Sequence, residues 1–531
     1  MRRPFALIAL FVLAAAPLRA QRFFNPPSGF TVDDPVLRRL WSLGMDSSQA
    51  ATFGQVLFDS IGPRLTASPG MNAGQDWLVQ TYTRLGITAR KEQYGTWRSW
   101  RRGRTHVDLV APRARTLEAT MLAWSPGTNN RPVRGDVVVL PDVADSNALV
   151  QWLPQARGKY VLVSFPQPTC RPDTSWAEHT SHENYERMRT LRDSAQAAWT
   201  RRIAHTGVGG TGRGIMTNLA RRLDQGGVAG VLTSTWAQGW GVDRIFDTWT
   251  ERAPVLDIMC EDYGLLFRLA SHNQGPAIEV TADAQPLGEV PVYNVIAEIP
   301  GRIPNEYVML SAHFDSWDGG SGATDNGTGT ITMLEAMRIL KLAYPNPRRT
   351  ILVGHWSGEE QGLVGSHSWA ADHRPIVDSL QALFNQDNGT GRIIGLDASG
   401  LVDAGGSLAR WLSRLPGELS RSITLGLPGN AGSGGTDYAS FSCGGAPAFN
   451  LFSEFFDYFS YTWHTNRDTY DKVSWDDVRG NATTAAMLAY LASEDTVQVS
   501  RVRRTVFQPG PGGQPGAWPT CEVPPRATRR P

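Results

Sequence analysis

Residues 312–329 read Ala312-His313-Phe314-Asp315-Ser316-Trp317-Asp318-Gly319-Gly320-Ser321-Gly322-Ala323-Thr324-Asp325-Asn326-Gly327-Thr328-Gly329. An apolar run from Tyr307 to Ala312 precedes them and a helical pattern from Gly327 to Ala343 follows. The stretch is therefore read as the loop between a strand and a helix. His313 and Asp315 stand at i and i+2 where the strand runs out, so both can project from the same side. One could ligate a metal while the other steadies it, because a bound imidazole usually gives its second N–H to an acceptor, and Asp315 is either that partner or a loop anchor. Taken singly, the plainer readings are an ordinary imidazole for His313 and a helix N-cap for Asp325.

Working outward, Asn294 to Ile299, Tyr307 to Ala312, Thr350 to Trp356 and Ala382 to Gln386 read as strands. With helices over Gly327 to Ala343 and Trp475 to Ala492, they predict an α/β domain with a parallel or mixed sheet across residues 288–500. Upstream, Val36, Leu37, Leu40 and Leu43 recur at helical spacing, and Asn72 to Leu85 repeats the pattern. Strand-like runs begin near Thr105. Residues 128–287 alternate strands, such as Gly158 to Val163 and Gly227 to Thr233, with helices, as a compact insert would. Residues 21–127 then form the first part of the interrupted domain. Residues 501–531 are a tail, Gly/Pro-rich from Gln508 and expected to be mobile. A chain of 531 residues exceeds one ordinary core, which agrees with a domain plus an insert.

Three more stretches carry chemistry. Gly354-His355-Trp356-Ser357-Gly358-Glu359-Glu360-Gln361-Gly362 follows a strand, and its adjacent carboxylates repel unless a cation or solvent offsets them. His355 falls inside the strand pattern and is left out of the site. Asp387 opens Asp387-Asn388-Gly389 after an apolar run, where a turn is the plain reading. His464 lies in Trp463-His464-Thr465-Asn466-Arg467-Asp468, a polar loop. Together His313, Asp325, Glu360, Asp387 and His464 supply two imidazoles and three carboxylates. That mixture suits divalent zinc and could hold two ions if one carboxylate bridges.

The remaining features narrow the class. Fifty-one Lys plus Arg against fifty Asp plus Glu give a formal charge of +1, with no basic excess for nucleic acid. Arg2 and Arg3, the apolar run Phe5 to Ala16 and Ala20 read as a signal peptide over 1–20, cleaved before Gln21. The run is too short to span a bilayer comfortably, so a secreted or periplasmic protein without stable membrane insertion is expected. Cys170, Cys260, Cys443 and Cys521 form no C-x-x-C pair and allow three disulfide connectivities, among which the sequence does not choose. No G-x-S-x-G elbow supports a serine hydrolase, and the Gly207 to Gly214 run lacks the ending of a phosphate loop.

The ordered motifs resemble the di-zinc exopeptidases that include bacterial aminopeptidases and glutamate carboxypeptidases, with the glutamate carboxypeptidase branch nearest. They are His313-Phe314-Asp315-Ser316-Trp317-Asp318 with Asp325, Trp356 to Gly362, Gln386-Asp387-Asn388-Gly389, Gly434-Gly435-Thr436-Asp437, His464 to Thr469, and Asp59 to Leu65. The likeness covers roughly residues 40–495. It implies two zinc ions bridged by Asp325, with His313 and Asp387 completing one site and Glu360 and His464 the other. Glu359 would be the general base, and Asp315 would orient His313. It further implies a protease-associated domain at 128–287 and a dipeptide or short peptide as substrate, and it is compatible with a homodimer. Whether cleavage is from the amino end, the carboxyl end or within dipeptides alone stays open, as does the oxyanion donor. Trp463 stands where relatives often have Tyr or His, and packing is its favoured role. A receptor-like branch keeps this fold without catalysis, but it loses ligands that this chain retains.

Overall fold

The apolar run before His313 lies at the centre of a mixed sheet. In a computed structural model of the chain, the described residues are 22–24, 33–210, 212–432, 434–507, 516–523 and 525–528. The expected signal peptide at 1–20 lies outside them. Among the described residues, fifteen strands join in one sheet. Its central strand, Ile303–His313, pairs in parallel with Arg349–Trp356 on one side and Leu380–Asn385 on the other. Ala448–Ser453 continues the parallel set beyond Leu380–Asn385. His313 is level with Trp356, and Ser311 with Asn385, so three strands end together and release their loops on one side. Ligands of α/β sheets collect at such carboxyl ends.

Period-two alternation places the two cores. Val308, Leu310, Ile351 and Val353 face the helices Thr328–Ala343 and Trp475–Glu494. Met309, Leu352, Leu383 and Trp356 face Trp369 and Phe441 on the other side. Both helices fall where expected. The Thr328 to Leu340 stretch is buried all round, because the sheet covers one flank and the Trp475–Glu494 helix another.

The strand read at Asn294 to Ile299 is longer than expected. It runs Ala277–Ile299 and pairs antiparallel with Thr88–Ala111 along a two-stranded ribbon. Charged residues such as Arg90, Lys91 and Arg104 hide the second strand in the sequence, because much of this ribbon is open to water. The ribbon links the central strands to a second group. Val133–Val139 pairs with Ala277 to Val280, and Tyr160–Leu162, Gly230–Thr233 and Val255–Ile258 follow in parallel. The segment expected as an insert thus shares its sheet with residues on both sides of it. Ala119–Met121, ahead of residue 128, pairs with Val255–Ile258, and the Ala277–Ile299 strand passes 287 without interruption.

The cysteines pair as Cys170–Cys260 and Cys443–Cys521. The second bond corrects the expectation of a mobile tail for the described residues 516–523 and 525–528. Cross-linking and hydrogen bonds hold them on the body, with Arg526 O accepting from Thr96 N at 2.9 Å. Among the described residues, no helix is long and apolar enough to cross a membrane.

Candidate metal centre

The expected ligands converge on the level strand ends from four segments, with His313 and Asp325 sharing one strand-to-helix connection. His313 closes the central strand, Glu360 follows Arg349–Trp356, Asp387 follows Leu380–Asn385, and His464 arrives from a loop before the last long helix. Asp325 does not act as an N-cap. It lies in the irregular turn Ala323–Gly327, and the helix that follows has no side-chain cap. Its two oxygens divide between two imidazoles: Oδ1 is 3.5 Å from His313 Nε2, and Oδ2 is 3.2 Å from His464 Nε2. His313 Nε2 also lies 3.2 Å from Asp387 Oδ1, and His464 Nε2 lies 3.0 Å from Glu360 Oε2. Two overlapping groups result, His313–Asp325–Asp387 and Asp325–Glu360–His464, each with its donor atoms within 4.8 Å. Gly329 permits the overlap, since a Cβ there would lie 2.5 Å from Gln386 O beside Asp387.

The donor set fits divalent cations. Glu360 Oε1 and His464 Nδ1 are buried with no hydrogen-bond partner, a costly state for polar atoms unless something else satisfies them. Burial disfavours the charged form throughout, and the neighbours decide the outcome. It lowers His313, but Asp387 and Glu359 outweigh it and hold the imidazole well above its ordinary range. His464 behaves alike: burial depresses it, and Glu360 and Asp325 bring it up to about 9. Asp325 is held below the usual carboxyl range, since hydrogen bonds from His313 and His464 overcome its burial. Burial pushes Glu360 up, with His464 opposing. Nitrogen and oxygen donors of this kind, close together and screened from water, are suited to zinc.

Glu359 is half-buried beside Glu360 and lines the same cleft, a cavity of about 580 Å³. Burial drives its carboxyl well above the ordinary range, and Asp387 and Glu360 add to this while His313 opposes it. Asp315, expected as the orienter of His313 or as a loop anchor, divides these tasks between its carbonyl and its carboxylate. His313 Nδ1 is 3.0 Å from the Asp315 backbone carbonyl and 3.7 Å from its carboxylate. A carbonyl only accepts, so Nδ1 carries the hydrogen and Nε2 faces Asp325 and Asp387. The Asp315 carboxylate instead accepts from the backbone N–H of Glu359 and of Glu360, each at 3.2 Å, and from Thr66 Oγ1 at 3.1 Å. It thereby fixes the loop bearing the paired acids. His355, left aside as a strand residue, is buried against Tyr82 Oη at 2.7 Å and is pushed by burial to about 3.

Several supports were not assigned from sequence. Asp468, part of a quoted motif, accepts from Thr324 N at 2.8 Å and Asp325 N at 3.0 Å. Burial raises its carboxyl to about 7. Asp437, in another motif, is buried and pushed by burial to about 8, with His313 opposing. Arg64 is 0% exposed. It donates to Phe314 O at 2.7 Å, Gly62 O at 3.1 Å, Ser321 O at 2.9 Å and Gly322 O at 2.8 Å. Its motif, Asp59 to Leu65, offered the only signal. Replacing Arg64 with Met would orphan those carbonyls, and a loss of about 3–5 kcal/mol is expected in urea unfolding. A change below about 1 kcal/mol would show that water satisfies the loop instead.

His464 is placed by residues far away in the chain. Its backbone is left-handed, with φ 62°, a conformation that an L residue keeps only when its surroundings impose it. Ile245 N donates to His464 O at 2.8 Å, and Asn466 N donates to Asp243 O at 3.1 Å. Phe246 meets the imidazole edge-on at 5.3 Å, and Trp463 stacks on it at 3.9 Å. Trp463 is thus packed as expected. Arg213, in a run read only as glycine-rich, also lines the cleft, its guanidinium 4.5 Å from the Phe246 ring centroid.

Comparison with known proteins agrees with this geometry. Residues 294–489 match the model of peptidase family M28. Human carboxypeptidase Q is 25% identical over 441 residues, covering 83% of this chain and 84% of that one. Leucine aminopeptidase 1 of Coccidioides posadasii is 30% identical over 215 residues, or 37% of this chain and 55% of its own. In fold, the crystal structure of a peptidase M28 precursor from Shewanella amazonensis superposes with TM-score 0.64 at 22% identity, over 88% of this chain and 98% of that one. The Bacillus subtilis zinc aminopeptidase gives 0.53 at 16%, over 86% and 97%. The matched residues span the strands and loops that gather these imidazoles and carboxylates, so the part of the chain that carries the site, residues 294–489, is similar to peptidase family M28.

Proposed function

We propose that the protein is an exported, zinc-dependent exopeptidase acting on dipeptides or short peptides. The single observation that carries this reading is Asp325, whose two oxygens are shared between two donor groups. His313 and Asp387 would hold one zinc ion, Glu360 and His464 a second, and Asp325 would bridge them. Bound there, zinc supplies a Lewis acid that lowers the pKa of a water and polarises the scissile carbonyl. Glu359 takes the proton from the attacking water on its carboxylate and returns it to the leaving amine, one group serving as base and then as acid. Asp315 positions, through its carbonyl on His313 and its carboxylate on the Glu359-Glu360 backbone.

The names of the relatives support peptide substrates without choosing an end, since both a carboxypeptidase and aminopeptidases are among them. Two disulfides support an oxidising compartment, secreted or periplasmic. The strand and helix group between residues 128 and 287 is read as a protease-associated insert, and a homodimer is compatible with the family likeness. A panel of dipeptides with free and blocked termini, incubated with the zinc-loaded protein, tests the activity. Absence of turnover across the panel would return the chain to the receptor-like alternative.

Zinc uptake should depend on pH. His313 and His464 hold protons more tightly than usual, His464 up to about 9, so the metal must displace them. Because a raised imidazole pKa means a proton to expel, apparent zinc affinity should rise with pH until about 9 and fall as pH drops. A chelator competition should show about tenfold per pH unit for each proton displaced. A flat profile between pH 6 and 8 would mean that the imidazoles are not ligands.

A further inference from the structure

The tail forms one wall of the cleft. Pro519, Thr520 and Glu522 line the same cavity as Glu359 and Glu360. The chain is tied down on both sides of Glu522. Cys521 is bonded to Cys443, itself a lining residue. Just before it, Trp518 Nε1 donates to Cys443 O at 2.9 Å, and the Arg503 guanidinium lies 4.8 Å from the Trp518 ring centroid. Just after it, Arg526 pairs with both oxygens of Asp372 at 2.8 Å, and Thr528 Oγ1 accepts from Arg98 N at 2.7 Å. Such tethers remove most of the freedom that a terminal segment would otherwise lose on meeting a ligand.

The Glu522 carboxylate is exposed to the cleft and makes no hydrogen bond or ion pair among the described residues. The nearby imidazole does not neutralise it. His367, on the helix Val364–Asp372, also lines the cavity, and burial holds it below its usual range despite the opposing pull of Glu522. It is therefore neutral at pH 7. A fixed, unpaired negative charge at the mouth of a peptide-binding cleft attracts cations and repels anions.

We propose that Glu522 is a specificity-determining residue, selecting peptides that present an ammonium or guanidinium group to the wall built by the Cys443–Cys521 cross-link. This rests on the exopeptidase reading in that the ligand is a peptide. The cation could be the free α-amino group or a basic side chain, and the two are separable. For a solvent-accessible charge pair the preference is modest, about threefold to fivefold.

The test is calorimetric binding to the full-length, zinc-loaded Glu359→Gln protein, in which turnover is slowed by orders of magnitude. Four dipeptides are compared, with lysine or norleucine and with the amino terminus free or acetylated. Tighter binding of the free-amine pair would assign the α-ammonium, and tighter binding of the lysine pair would assign the side chain. Adding Glu522→Gln should erase the preference, Glu522→Lys should reverse it, and raised salt should weaken it in the parent. The double variant Cys443→Ser, Cys521→Ser should lose the preference while keeping its zinc. A wall that only packs would lower affinity for all four peptides alike. An unchanged ranking in both Glu522 variants overturns the proposal. If the wild type shows the preference yet hydrolyses none of the free peptides, the peptidase reading fails while the assignment of Glu522 stands.

Discussion

Replacing Glu359 with Gln is expected to lower kcat by about 10²–10⁴-fold, the range for removal of a general base, with no loss of zinc content. Glu359 belongs to neither donor group, and Gln preserves its shape, so the loop fixed by Asp315 through the Glu359 and Glu360 amides should persist. What disappears is the ability to take a proton and hand it on. The loss should therefore fall on kcat rather than on KM, and elemental analysis should find equal zinc in variant and parent. Undiminished turnover would remove Glu359 from the mechanism. Loss of zinc together with activity would recast it as a ligand or a support.

The second large effect concerns Asp325. It is the one residue common to both donor groups, so Asp325→Ala should weaken both sites, whereas Asp387→Ala should weaken only the site shared with His313. Zinc affinity in Asp325→Ala should fall by more than about a hundredfold, beyond the loss typical of supporting residues. Zinc at a thousand times its Kd stabilises a native state by about 4 kcal/mol. Adding a chelator should then lower the Tm of the wild type markedly and that of Asp325→Ala hardly at all. Equal zinc content in the two variants would mean that Asp325 does not bridge. Both variants remove a negative charge from a crowded acidic site, so the apo proteins could gain stability. Comparison with and without chelator separates that gain from loss of metal.

Legibility in the sequence followed the range of the forces involved. The strand before His313 and the helix after Asp325 were readable because hydrophobic period is local. The charged part of the ribbon strand Thr88–Ala111 that precedes Thr105 was not, since exposed polar residues leave little period to see. The five expected ligands could be named from motif order, and the structure brings all five together. For Asp315 both readings, partner of His313 and loop anchor, were visible from spacing, but which loop its carboxylate grips was not, because the Glu359-Glu360 turn follows another strand. Arg64 and Asp468 looked like motif members without tasks, because their partners are backbone groups that no residue letter reveals.

By itself, then, the sequence determined an alternating α/β core, a strand-loop-helix unit carrying His313 and Asp325, and a stock of imidazoles and carboxylates suited to zinc. Tertiary structure alone decided how Asp325 divides its oxygens, which cysteines pair, that residues near 245 hold His464 in place, and that the tail walls the cleft. The physical reason is that period and turn chemistry act over a few residues. Sharing a carboxylate, imposing a left-handed backbone or closing a disulfide depends on contacts between groups that meet only after the chain has folded.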